Sequence, residues 1–300
     1  MNFHSKPLTY VGQVDLKVQN LKRSLKFYQE VIGFKILAQT DKKALLTADG
    51  KNTLLSIEVP DDVVPSTGKT TGLYHYALLL PSRADLARIV LHFAEIDLRI
   101  GASDHVVSEA LYLSDPDGNG IEIYADRKPS EWVWRNGEVE MGVDHLDFQD
   151  LLSRRVQPLW NGLPEGTVMG HVHLHVSDLR MSEEFYIKGL GFEVVMRSHA
   201  LFISTGRYHH HIALNTWNGV GAPSPSENCV GLKSFTLMYP NIEAINQAAA
   251  QLDAIGFSVK LENGAVSTTD PSGNRIQLLV VSDDELSLPI TNSTIIHAET

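Results

Sequence analysis

Val172, Leu174 and Val176 alternate with His171, His173 and His175. This period of two predicts a strand with one aliphatic and one polar face. Asp178 follows as a helix N-cap, as Asn20 does after the corresponding strand near the N-terminus. There Leu21, Leu25, Tyr28 and Ile32 recur at helical spacing, which predicts an amphipathic helix. Gly33, or Gly191 in the later copy, suits the left-handed position that closes such a helix. Three short apolar runs come next, "FEVVMRS", "ALFIST" and "HHHIALNTW" in the later copy. The predicted unit is β-α-β-β-β.

The unit recurs four times. "YVGQVDLKVQNLKRSLKFYQEVIGF" from Tyr10 and "VMGHVHLHVSDLRMSEEFYIKGLGF" from Val168 align without a gap at an offset of 158 residues. "GLYHYALLLP" (72–81) matches "GLKSFTLMYP" (231–240), and "YLSDPDGNGIEIY" (112–124) matches "STTDPSGNRIQLL" (267–279). Modules 2 and 4 carry the helical stretches "RADLARIVLHFAEI" and "IEAINQAAAQLDAI", and "DPDGN" and "DPSGN" read as tight turns before a last strand. The expected class is α+β, with four βαβββ modules building half-open barrels. The expected division is an N-terminal domain at 1–126, a linker at 127–166, a C-terminal domain at 167–285 and a tail at 286–300. The linker is expected to pack against the domains, because "SEWVW" and "LWNG" carry tryptophans that would otherwise be exposed.

The polar faces of the first strands bear Gln13, Asp15 and Lys17 in module 1 and three histidines in module 3. A curved sheet with a polar concave face is a natural ligand site. The chain has 300 residues, 43% of them hydrophobic, and a net charge of −11. An acidic balance argues against nucleic acid or an anionic membrane as partner. No apolar run approaches the roughly 18 residues of a membrane span. The single cysteine, Cys229, excludes an intrachain disulfide and suits the cytoplasm, and "MNFHSKPLTY" lacks the apolar core of a secretory signal.

The four modules, the "FY…LGF" helix ending and the "DPDGN.IE" turn and strand resemble the vicinal oxygen chelate superfamily. It includes glyoxalase I, extradiol dioxygenases and the fosfomycin and bleomycin resistance proteins. "SEALYLSDPDGNGIEIYADR" and "YHHHIAL" together resemble bacterial catechol 2,3-dioxygenases of the Bacillus type. The resemblance implies that two modules curve around one metal, with ligands on their first and last strands. The first-strand positions read Gln13, His75, His171 and Ser234; the last-strand positions read Glu122 in module 2 and Gln277 in module 4. Modules 2 and 3 together hold two imidazoles and a carboxylate, a set that suits Fe(II) and also fits Mn(II). Placing that metal requires modules 2 and 3 to share one barrel. A register shifted by two would put His173 in place of His171; otherwise His173 and His175 are walls of a polar cleft.

The resemblance further assigns acid–base chemistry to His210 within the His209–His210–His211 run. It assigns a hydrogen bond to the substrate oxygen to Tyr112, and donation to the substrate hydroxylate to His105. The implied activity is extradiol cleavage of a small aromatic diol by O2, giving a 2-hydroxymuconic semialdehyde-type product. Two other readings stay open at this point. Pairing modules 1 and 2 would gather Gln13, His75, Glu122 and Glu58, which resembles a glyoxalase I ligand set. A metal-free protein that sequesters small molecules would use the same cleft. Exchange of modules between chains leaves the ligand set unchanged, so a homo-oligomer is compatible with either pairing.

Overall fold

The computed structural model describes residues 2–66, 68–153, 159–262 and 265–281. The expected tail at 286–300 therefore lies outside the described residues. Module 1 comprises β1 (Tyr10–Lys17), α1 (Leu21–Phe27), β2 (Lys35–Gln39), β3 (Lys43–Thr47) and β4 (Leu55–Glu58). Module 2 comprises β5 (Gly72–Leu79), α2 (Arg83–Glu95), β6 (Gly101–Asp104), β7 (Ser108–Ser114) and β8 (Gly120–Asp126). Between the halves lie β9 (Trp134–Arg135), β10 (Glu138–Val139) and α3 (Phe148–Ser153). Module 3 has β11 (Val168–His175), α4 (Leu179–Glu183), β12 (Glu193–Arg197), β13 (Leu201–Ser204) and β14 (Ile212–Asn215). Module 4 has β15 (Gly231–Tyr239), α5 (Ile242–Ala254), β16 (Val259–Glu262), β17 (Ala265–Thr269) and β18 (Arg275–Val280).

The helices start where the sequence predicts. Asn20, Ser82, Asp178 and Asn241 each accept a hydrogen bond from the backbone N–H three residues on. In modules 1 and 3 the helix then widens into a π turn, Tyr28–Ile32 and Glu184–Gly189. The apolar spacing had pointed to a plain helix, so this widening is new. Gly33 sits at φ 89° in the left-handed region, as the turn requires.

Modules pair across the sequence halves. One sheet runs β16-β17-β18-β15-β1-β4-β3-β2, and the other runs β12-β13-β14-β11-β5-β8-β7-β6. Modules 1 and 4 therefore share a sheet, and modules 2 and 3 share the other. The repeat extends to irregularities of the backbone. The β1–β15 register slips between Val11 and Gln13 and between Asp15 and Leu16; β11–β5 slips at the matching positions, Met169/His171 and His173/Leu174.

The aliphatic faces of both sheets and the helices form one continuous core, with Val14, Leu16, Tyr76, Leu78, Val172, Leu174, Phe235 and Leu237 fully buried in it. Inside that core the two recurring motifs meet. Tyr28 donates to Asp115 Oδ2 at 2.8 Å, and Tyr186 to Asp270 Oδ2 at 3.0 Å. Each aspartate also accepts from the asparagine and backbone of its own turn. Burying a polar group is tolerable when its hydrogen bonds are met. The "FY" and "DPxGN" motifs thus satisfy one another between modules 1 and 2 and between modules 3 and 4.

The expected linker does pack. Trp132 is buried and donates to the Val107 carbonyl at 3.1 Å, while Trp160 stacks on His92. No helix among the described residues is long and apolar enough to cross a membrane.

Candidate metal centre

Three neighbouring strands of the module 2–3 sheet, β11, β5 and β8, bring the predicted ligands together. His171 and Glu122 sit in one row on either side of Ala77, while His75 lies two residues before Ala77 on the same face. Ala77, fully buried, packs with Ala110 and Tyr124. Gly120, opposite His75, is equally constrained. A Cβ there would lie 2.1 Å from the Tyr74 carbonyl oxygen and 3.1 Å from His75 Cβ.

The result is a compact buried triad. The ligand-type atoms of His75, Glu122 and His171 all lie within 4.8 Å of one another. Glu122 Oε2 is 3.0 Å from His75 Nε2 and 3.3 Å from His171 Nε2. The second contact lacks hydrogen-bond geometry: both ring nitrogens of His171 are buried with no hydrogen-bond partner among the described residues. A buried polar atom left in this state costs about 1–3 kcal/mol, unless it binds something else. Burial, partly offset by Glu122, lowers His171 to about 4, so its imidazole is neutral. Burial opposes ionisation of Glu122, but His171 and His75 outweigh it and hold the carboxyl well below its usual range. Neutral imidazole and ionised carboxylate are the forms that bind a cation. Two imidazoles and one carboxylate fit Fe(II) or Mn(II).

The remaining predicted residues line the same cavity of about 410 Å³. His210 packs its ring 4.1 Å from that of His171, centroid to centroid. Burial and the surrounding histidines push its imidazole well below the ordinary range. His105 and Tyr112 form a bonded pair: His105 Nδ1 is 2.7 Å from the Gly142 carbonyl, and Nε2 is 2.6 Å from the Tyr112 hydroxyl. A carbonyl can only accept, so Nδ1 carries the proton and the Tyr112 hydroxyl donates to Nε2. Both nitrogens of His105 are committed, and both residues line the cavity. His173 also lines the cavity, with Nε2 accepting from Asn215 Nδ2 at 2.8 Å. His173 is thus a hydrogen-bonded part of the cleft wall, and His171 is the histidine of β11 that joins the triad.

The Gln13/His75/Glu122/Glu58 grouping is not brought together. Gln13 and Glu58 belong to the other sheet, where Gln13 donates to Asp15 and Glu58 pairs with Lys233 at 2.7 Å.

Several residues in and around the site had no sequence signal. Gly142 and its neighbours Met141 and Val143 come from the linker, held by an antiparallel bridge between Asp104 and Asp144. Tyr74 and Trp217 form an aromatic edge beside His173. Asp126, at the end of β8, contacts His209. The histidine run drew attention to His209, but nothing near Asp126 in sequence marks it.

Residues 10–123 and 168–278 match the family described as the Glyoxalase/Bleomycin resistance protein/Dioxygenase superfamily. The chain belongs to that superfamily. Within it, the chain is 44% identical over 278 residues to a protein named Catechol-2,3-dioxygenase from Bacillus subtilis (strain 168), covering 91% of this chain and 98% of that one. A solved structure from Bacillus subtilis superposes with a TM-score of 0.63 at 12% identity, covering 94% of this chain and 88% of that one. Glyoxalase I from Zea mays gives 0.56 at 15% identity, covering 90% and 92%. Superfamily members with different chemistry thus share this fold, and the distinction between them rests on the site.

Proposed function

We propose that the protein is an extradiol ring-cleaving dioxygenase acting on a catechol-type diol, with Fe(II) held by His75, His171 and Glu122. The observation that carries this reading is the buried triad with the unpartnered nitrogens of His171 at its centre. The 44% identity to a catechol-2,3-dioxygenase supports the choice of reaction. The single cysteine suits a cytoplasmic enzyme.

When bound, a divalent iron supplies Lewis acidity that favours loss of the diol protons, and the redox chemistry that O2 requires. The chain supplies the rest. The cavity wall combines the polar groups His75, Glu122, His171 and His210 with the apolar side chains Met141, Val143, Met196 and Phe202. A small aromatic diol, with hydroxyls and a ring, needs both kinds of group. His210 is neutral and adjacent to the triad, placed to accept a diol proton and return it to the product. Tyr112 spends its own proton on His105, so its oxygen faces the cavity as a hydrogen-bond acceptor for a substrate hydroxyl.

The test is O2 uptake by protein loaded anaerobically with Fe(II) and then given catechol. We expect uptake and a yellow ring-opened product. His75→Ala, His171→Ala and Glu122→Ala should each lose bound iron and at least about 100-fold in activity, beyond what outer-shell changes cause. Retention of iron and turnover in His171→Ala would overturn the assignment.

A further inference from the structure

His210 does not stand alone. Its Nδ1 lies 2.8 Å from His209 Nδ1, and His209 Nε2 lies 2.9 Å from Asp126 Oδ1. His209 is fully buried, whereas the Asp126 side chain is 20% exposed. Asp126 also lines a second cavity of about 420 Å³, together with Arg83, Arg127, Lys128, Glu109 and Glu131. A hydrogen-bonded line of three residues therefore links the catalytic cavity to a second, charged pocket.

The direction of each hydrogen bond follows from the acceptor at the far end. A carboxylate can only accept, so His209 carries its proton on Nε2. Its Nδ1 is then a lone pair. Two imidazole nitrogens 2.8 Å apart share one proton, so this one belongs to His210 Nδ1. His210 is left with an unprotonated Nε2 as its free ring nitrogen, on a side chain that lines the catalytic cavity.

We propose that Asp126 and His209 are positioning residues that fix the tautomer and orientation of His210, presenting Nε2 to the substrate as a proton acceptor. The proposal rests on the dioxygenase reading for its kinetic consequence, but the tautomers themselves do not depend on it. When Nε2 takes a proton from a diol hydroxyl, the Nδ1 proton can pass to His209 Nδ1. The charge then rests on an imidazolium against the Asp126 carboxylate, and reverse transfer returns the proton. The line holds one extra proton, taken from the diol, until that return, and over the full cycle its proton count is unchanged.

Three variants test this. Asp126→Asn lets the amide donate to His209 Nε2, which moves the His209 proton to Nδ1 and forces His210 to carry its own on Nε2. His209→Leu removes the line, while His209→Gln restores one acceptor and one donor. In the Fe(II)-loaded enzyme we expect kcat to fall about 10- to 100-fold in Asp126→Asn and His209→Leu, at the low end of general acid–base effects. KM for the diol and iron content should stay within about two-fold. His209→Gln should recover most of the loss. Imidazole 15N shifts of the labelled metal-free protein report the tautomers without turnover. The expected result is His209 protonated at Nε2 and His210 at Nδ1, reversed in Asp126→Asn.

His210 protonated at Nε2 in the wild type would overturn the proposal. So would wild-type kcat in Asp126→Asn, or equal losses in His209→Gln and His209→Leu. Absence of O2 uptake by the wild type, with the expected 15N shifts, would instead overturn the dioxygenase reading and leave the positioning intact. If His209→Leu does not fold, Asp126→Asn and the wild-type shifts decide.

Discussion

Buried imidazoles away from the triad carry a measurable cost in acid. His4 is pressed against Tyr208 and His211, with Nε2 2.9 Å from the Gly170 carbonyl, and burial lowers it to about 4. His211, also buried, is shifted the same way; its Nε2 donates to the Phe3 carbonyl at 3.0 Å. Both have folded pKa values below the unfolded value near 6.5, and for His4 the unfolded state binds the extra proton between about 6.5 and 4. Their contribution is thus complete above about pH 6.5 and is lost as pH falls. The slope is at most about 1.4 kcal/mol per pH unit for each histidine. Calorimetry of wild type and His4→Gln from pH 7.5 to 4.5 should show a shallower acid decline in the variant, since glutamine can still donate to Gly170. Parallel curves would refute this. At this scale the sequence was informative where a residue type is its own signal. His75, His171 and Glu122 stood out by aligning the modules. Asp126 and the Gly142 carbonyl did not, because an aspartate at a strand end and a backbone oxygen look alike in every sequence.

Strands and helices were legible from periodicity, and two of the caps from Asn20 and Asp178; Ser82 and Asn241 emerge as caps only in the structure. The π turns were not, since a π turn and an α turn bury the same apolar residues; Tyr28 and Ile32 are buried either way. The two repeated motifs were visible, but their contact was not, because Tyr28 and Asp115 are far apart in the chain. That contact is testable. Tyr28→Phe leaves a buried carboxylate one donor short, which should cost about 1–3 kcal/mol. We expect a lower Tm with kcat unchanged, as Tyr28 lies outside the cavity. Tyr186→Phe should do the same through Asp270. An unchanged Tm in both would show that the tyrosines are only filling space.

Over the whole molecule, the pairing of modules 2 and 3 was legible indirectly, through which modules kept histidines. The pairing of modules 1 and 4 follows as the remainder, since nothing in their own residues names the partner. The distances between paired strands differ: Ala77 faces His171 across the inner pair, and Gln13 faces Thr236 across the outer. Closing the longer loop costs only about 0.8 kcal/mol more, roughly three- to four-fold in rate. In refolding from denaturant, pulse-labelled amides of β5–β11 and β1–β15 should therefore become protected within a factor of about ten of each other. A wider gap would mean that something other than loop length sets the order.

Synthesis on the ribosome has no such symmetry. The four modules close like nested brackets, so the pair that carries His75, Glu122 and His171 is complete once β11–β14 emerge. Module 1, made first, must wait for module 4. At about 5–20 residues per second, the stretch from His175 to Tyr239 takes some seconds to appear. Throughout that interval β1 has β4 on one edge and no strand on the edge that β15 later fills. The oldest part of the nascent chain is the last to be covered, and it is there that a chaperone would be needed.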